Sequence, residues 1–170
     1  MKEPTDSCDD QYLTFTLEKG LYALSINHVR EVLEYVTITR MPRTPDYICG
    51  VINLRGHAVP VVDLKVKFGL GQTEKTINTC IIITEVNFEG DQTIFGILSD
   101  SVREVYEMDE GQIEPPPNMG TAIRKDFIVG MGRSDEVFII ILDINKVFSS
   151  QELAVVLDAV GQDKAPVIAL

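Results

Sequence analysis

Two stretches of this chain align with each other without a gap. Tyr47 to Phe68 reads YICGVINLRGHAVPVVDLKVKF, and Phe127 to Phe148, 80 positions later, reads FIVGMGRSDEVFIIILDINKVF. Gly50 falls on Gly130, Val59 on Ile139, Val61 on Ile141, Asp63 on Asp143, Leu64 on Ile144 and Phe68 on Phe148. Upstream, Tyr22-Ala23-Leu24 through Val29-Arg30-Glu31-Val32 falls on Phe95-Gly96-Ile97 through Val102-Arg103-Glu104-Val105, 73 positions later. The seven-residue difference between the spacings gives the second copy a longer connection, where Pro115-Pro116-Pro117 lies. Two copies of one small β unit are expected to pack as paired halves of one domain, and the seam between them is a natural place to hold a partner.

The local pattern within each copy is mainly strand. Leu13, Phe15 and Leu17 alternate with Thr14 and Thr16, the period of a strand with one buried face. A turn at Glu18-Lys19-Gly20, with Gly20 free to take positive φ, leads to a second strand over 21–26. Asn27 is expected to cap a short helix over 28–33, with Asp100 at the equivalent cap. Val36 to Thr39 is short and β-branched, and Pro42 and Pro45 punctuate the following loop. The apolar runs 48–54 and 58–62 form a hairpin about Arg55-Gly56-His57, and Asp63 caps a short helix ending near Phe68 and Gly69. The second copy repeats this order: strands 80–86 and 93–98, then a hairpin of 127–132 and 137–142 with Ser134-Asp135-Glu136 at its tip, then a cap at Asp143. Leu153, Val156, Leu157 and Val160 follow i, i+3, i+4, i+7, so 150–161 is expected to be a helix docked on a barrel, followed by a frayed tail over 162–170. Residues 1–11 read as a disordered N-terminal segment, with halves of roughly 12–76 and 77–148.

Composition excludes several function classes. The chain is 45% hydrophobic and 24% charged, an ordinary globular balance, with a formal net charge of −11. Nonspecific nucleic-acid binding needs clustered Lys and Arg and does not fit that surface. The odd set Cys8, Cys49 and Cys80 contains no CxxC pair and suits a reducing cytoplasm rather than a disulfide framework. No stretch approaches a membrane span, and the polar start MKEPTDSCDD is not a signal peptide. His28 and His57 are the only histidines; neither has an evident nucleophile partner, and no spacing suggests a metal site. Gly69-Leu70-Gly71-Gln72-Thr73-Glu74-Lys75-Thr76 is a near miss to a phosphate loop, because Glu74 puts a negative charge where a bare glycine backbone belongs. A nucleotide-binding protein using this segment is the alternative from another function class. No catalytic residue, metal or cofactor is expected.

The copies diverge most at the second hairpin, where Asn53-Leu54-Arg55-Gly56 stands against Arg133-Ser134-Asp135-Glu136. Arg55 is a planar, always-charged fork after an apolar strand, so its stem is expected to be partly buried and Glu31 is its candidate carboxylate. It serves either to pin the hairpin through that pair or to bind a partner, and both roles are compatible.

The order VREV, proline loop, GVINLRG, VPVVDL and then the second half resembles the CheW family of chemotaxis coupling proteins, over about residues 12–157. The resemblance implies a mainly β fold of two SH3-like five-stranded barrels and no catalysis. It implies a cytoplasmic adaptor, recruited to membrane-associated arrays, between chemoreceptors and the histidine kinase CheA. A receptor's cytoplasmic helical hairpin tip is then expected against Ile26, Asn53, Arg55, Cys80, Val102 and Val105, and the kinase's regulatory domain against Val29, Glu31, Gly50 and Val51. Family members commonly carry an apolar residue where this chain has Cys80, a mild departure. An adaptor of a related pathway such as surface motility, or the coupling part of a larger protein, fits the same resemblance.

Overall fold

The computed structural model describes residues 10–88, 90–116, 127–134, 136–149 and 151–155. Eleven strands are described: β1 (Gln11–Leu17), β2 (Gly20–Ser25), β3 (Val29–Glu34), β4 (Ile48–Leu54), β5 (His57–Asp63), β6 (Cys80–Phe88), β7 (Asp91–Ser99), β8 (Ser101–Glu107), β9 (Ile113–Glu114), β10 (Ile128–Ser134) and β11 (Val137–Leu142). Single-turn helices α1 (Leu64–Lys67) and α2 (Ile144–Val147) follow β5 and β11. The strand β1 already includes Gln11, which pairs with Glu107.

The strands form two sheets, β8-β1-β2-β11-β10-β9 (barrel I) and β3-β6-β7-β5-β4 (barrel II). Replacing each strand by its repeat counterpart turns the first five strands of one order into the other. Each barrel nevertheless mixes the copies. The hairpin β1-β2 pairs with β8 and β11 of the second copy, while β6-β7 pairs with β3 and β5 of the first. The chain crosses between sheets at the 3₁₀ turn Ile26–His28 and again at Asp100. A cut near residue 76 therefore separates the sequence copies but not the sheets.

The helix expected over 28–33 is absent: Val29–Glu34 is a strand with alternating half-buried and exposed residues. The preceding 3₁₀ turn is capped by Ser25, whose hydroxyl accepts the Asn27 N–H. Asp100 likewise caps no helix and leads directly into β8. Six residues alternating at period two satisfy a strand ladder, which outweighs a weak cap signal. Glu18, at φ 57, rather than Gly20, takes the left-handed position in the first turn. Asp63 and Asp143 do cap α1 and α2, accepting the Lys65 and Asn145 N–H at 3.0 and 3.1 Å. Of 36–39, Thr39 alone bridges a neighbour, Val51.

Strand alternation sorts the apolar residues into three cores. Ile81, Ile83, Val59 and Val61 fill barrel II, and Ala23, Met108, Ile139 and Ile141 fill barrel I. Phe15, Leu24, Ile82, Phe95, Leu142 and Phe148 belong to a core shared by both. Tyr47 packs against Phe148, and its repeat counterpart Phe127 against Phe68, with centroids 5.6 and 6.0 Å apart. Leu153, in the helical stretch 151–155, docks on this shared core. The other apolar residues of the expected C-terminal helix, Val156, Leu157 and Val160, lie outside the described residues.

Candidate functional site: the edges of barrel II and the seam

Two edge strands, β3 and β4, end the strand order of barrel II. The turn after β4 has Arg55 at φ 52 and Gly56 at φ 87, the two positive values of a two-residue hairpin loop whose twist suits antiparallel strands. Asn53 Oδ1 accepts the Gly56 N–H at 2.8 Å and fixes the turn. Arg55 then reaches back to β3: Nη1 donates to Glu31 Oε2 at 2.8 Å and Nη2 to Oε1 at 2.9 Å. This two-pronged pair links the edges that the ladder leaves apart. The hydrogen bonds from Arg55 hold the Glu31 carboxyl below the usual carboxylate range. The expected partner of Arg55 is present, but its stem is not buried: the side chain is 69% exposed, because the turn projects beyond the apolar part of the strand.

The remaining expected contacts fall into two patterns. Val102 and Val105 lie on β8 in barrel I, while Asn53, Arg55 and Cys80 belong to barrel II and Ile26 to the crossing between them. Ile26 and Val102 pack half-buried on the shared core, and Val105 is exposed. Cys80 is half-buried, with Sγ donating to the Asn78 carbonyl. By contrast, Val29, Glu31, Gly50 and Val51 are confined to β3 and β4 of barrel II. Val51 and Asn53 line a shallow groove of about 210 Å³ beside Thr39 and His57. Gly50 is buried at φ 146, and a Cβ there would stand 2.1 Å from the Thr39 carbonyl oxygen. Its first role is to admit that close backbone crossing.

Two arrangements escaped the reading of the sequence. The ammonium of Lys65, on α1, meets Glu18 Oε2 at 2.8 Å and Asp100 Oδ2 at 3.2 Å, with its side chain 5% exposed. Asp100 Oδ2 also accepts the Glu18 N–H at 2.7 Å, so the cluster ties barrel II to the first turn of barrel I. Burial pulls the Lys65 ammonium down, but its bonds to Glu18 and Asp100 outweigh burial and raise it overall. Lys67 Nζ lies over the rings of Tyr47, Phe148 and Phe127, at 5.1, 5.3 and 5.6 Å, and donates to Glu152. Glu152 and Ser149 exchange backbone N–H bonds, the reciprocal cap at the start of the helical stretch 151–155. The Ser-x-x-Glu spacing at 149–152 was the available signal; neither lysine has one.

The segment 69–76 is not arranged as a phosphate loop. The Thr73 N–H and hydroxyl, which a phosphate loop would turn toward a ligand, both go to Asp63, and Lys75 lies 4.6 Å from the Tyr35 ring centroid. No cluster of metal-ligating side chains occurs among the described residues, and no helix among them is long and apolar enough to cross a membrane. Burial raises the Cys49 thiol to about 12, with Asp63 adding to the shift, so it stays protonated and unreactive at neutral pH.

A CheW-like domain matches residues 11–152. The chain belongs to the CheW-like family. It is 36% identical over 151 residues to the chemotaxis protein CheW of Klebsiella aerogenes, covering 89% of each chain. It is 30% identical to the chemotaxis protein CheW of Bacillus subtilis, covering 84% of this chain and 88% of that one. The crystal structure of the scaffolding protein TtCheW from Thermoanaerobacter tengcongensis superposes with a TM-score of 0.76 at 38% identity, covering 89% of this chain and 96% of that one. The double barrel is thus the CheW fold, and the family assigns this CheW-like chain a chemotaxis adaptor role.

Proposed function

We propose that the chain is a non-catalytic adaptor that couples the cytoplasmic helical hairpin of chemoreceptors to the regulatory domain of the kinase CheA. The observation that carries this reading is the division of its candidate contacts. The receptor-side residues spread across both barrels, as a helical hairpin lying along the seam requires. The kinase-side residues keep to the edges of barrel II, as contact between barrels requires. The Glu31–Arg55 pair takes one residue from each set, so it sits where the two faces meet. Two faces let one adaptor hold both partners at once, and repetition in an array strengthens weak contacts.

The test is titration of the chain with a CheA regulatory domain and a receptor hairpin, separately and together. Both should bind, and a ternary complex should form. Arg55→Ala should weaken both contacts by about tenfold while leaving Tm within about 3 °C, since the side chain is largely exposed. Loss of the fold would instead make Arg55 structural. Val51→Asp puts an uncompensated charge on the kinase face and should weaken kinase binding about tenfold more than receptor binding. Equal loss of both partners would overturn the two-face division. Gly50→Asp is unsuitable for this comparison, because its side chain would strike the Thr39 backbone before meeting any partner.

A further inference from the structure

Each barrel has a notch beside the aspartate that ends its second hairpin. In barrel II the notch, about 310 Å³, is lined in part by Asp63, Cys49 and Leu98. In barrel I a notch of about 170 Å³ is lined by their repeat counterparts Asp143, Val129 and Ser25, together with Tyr12 and His28. The two carboxylates meet different surroundings. Asp63 Oδ1 accepts the Lys65 N–H and the Thr73 hydroxyl, Oδ2 accepts the Thr73 N–H at 2.9 Å, and the residue is 4% exposed. Thr73 comes from the loop that follows α1. After α2 the chain instead turns into the helical stretch 151–155. Among the described residues, the Asp143 side chain accepts only the Asn145 N–H, on Oδ1, which leaves Oδ2 without a protein donor. Val129 is 52% exposed, whereas Cys49 at the equivalent place is half-buried.

His28 adds to this imbalance. Its Nδ1 lies 3.2 Å from the Glu85 carbonyl, which can only accept, so the Nδ1 N–H donates there and not to Asp143. The notch in barrel I therefore holds a carboxylate oxygen without a donor among the described residues, beside the apolar Val129 and the Tyr12 ring.

We propose that this notch is a docking site for a cationic side chain, lysine or arginine, presented by a polypeptide partner. The carboxylate of Asp143 pairs with the charge, and Tyr12 and Val129 flank the methylene stem. The net charge of −11 favours approach of a basic segment. Barrel II shows the same frame with a donor group in place, where Thr73 occupies both oxygens of Asp63. The site adjoins the proposed contacts at Ile26 and Val29, which neighbour its lining residues Ser25 and His28 in the chain.

The test is an amide-resolved NMR titration of the full chain with acetyl-Ala-Arg-Ala-amide, with acetyl-Ala-Gln-Ala-amide as the neutral control. The arginine peptide should give saturable shifts at Ser25, His28, Val129 and Asp143 with a dissociation constant of about 1–10 mM. The glutamine peptide should give shifts at least about fivefold smaller. Asp143→Asn keeps the cap on α2, because asparagine caps as well as aspartate, and should reduce the arginine response to the control level. Equal shifts from both peptides, shifts elsewhere only, or full binding by Asp143→Asn would overturn the proposal.

Discussion

Barrel II joins its edges through Glu31 and Arg55 and seals Asp63 beneath Thr73. Barrel I has Glu104 and Asp135 at the positions equivalent to Glu31 and Arg55, two acids in place of a pair, and its Asp143 is open. Their backbones obey the same rules nonetheless. Both second hairpins carry a bulge at the same place, between Ile48 and Gly50 and between Ile128 and Gly130. Thr39 crosses next to Gly50 as β9 crosses next to Gly130, and the Asp63 and Asp143 N–H groups donate to Tyr47 and Phe127. The shared features are those the apolar frame needs; the differences are polar and lie at edges and turns. In a doubled fold, that contrast separates what holds the molecule together from what it presents to partners.

The bulge glycines test how far the equivalence goes. A Cβ at Gly50 would strike the Thr39 backbone, and its φ of 146 strains any side chain. A Cβ at Gly130 would stand 2.5 Å from Ile113 Cγ2, a side chain that can give, and 2.8 Å from the Glu114 carbonyl oxygen. Gly50→Ala should therefore cost about 4 kcal/mol and Gly130→Ala about 2 kcal/mol, measured by urea unfolding. Equal costs would show that the two crossings constrain the backbone alike.

The Lys65 cluster breaks the symmetry between the barrels, since Asn145 and Asn27 stand at the equivalents of Lys65 and Asp100. Lys65→Met should cost about 2 kcal/mol, and Asn145→Leu within about 0.5 kcal/mol. The pH dependence has a definite sign. Hydrogen bonding from Lys65 holds Glu18 below its ordinary value, so that contribution is present above about pH 4.5 and is lost as pH falls through the lowered value. Lys65 is raised overall, so its contribution is present below about pH 10.5 and is lost as pH rises through the raised value. The Tm difference between wild type and Lys65→Met should be flat across neutral pH and shrink at both extremes. A difference that persists undiminished in acid would assign the effect to packing of the lysine stem.

Much of this was legible in the residues, for local reasons. Strand alternation, the Asp63 and Asp143 caps and the Gly56 turn leave short-range marks, and the Glu31–Arg55 pair is expected from an always-charged fork at the hairpin turn, although the burial expected of its stem is not found. The segment 29–34 misled because VREV follows a residue that often caps helices, while its true role is set by β6, a strand from the other copy. The exchange of strands leaves no local mark, since either partner offers the same apolar face. Lys65 reads as an ordinary helix-surface lysine, and only the tertiary approach of the β1–β2 turn and of the crossing at Asp100 brings two carboxylates over it.

The smallest expected effect concerns the two capping aspartates. Asp63→Asn leaves one acceptor oxygen for donors that now occupy two, and the new amide N–H₂ faces the Thr73 N–H or hydroxyl. It should cost about 1.5 kcal/mol in urea unfolding and speed amide exchange at Thr73. Asp143→Asn keeps its single bond to the Asn145 N–H and should change stability by no more than about 0.5 kcal/mol. If both substitutions cost the same, the Thr73 loop adds nothing to the cap and the barrels differ only in cover. If Asp63→Asn alone is costly, the carboxylate is a structural acceptor in barrel II, and the equivalent group in barrel I is left free for a partner at no cost to the fold.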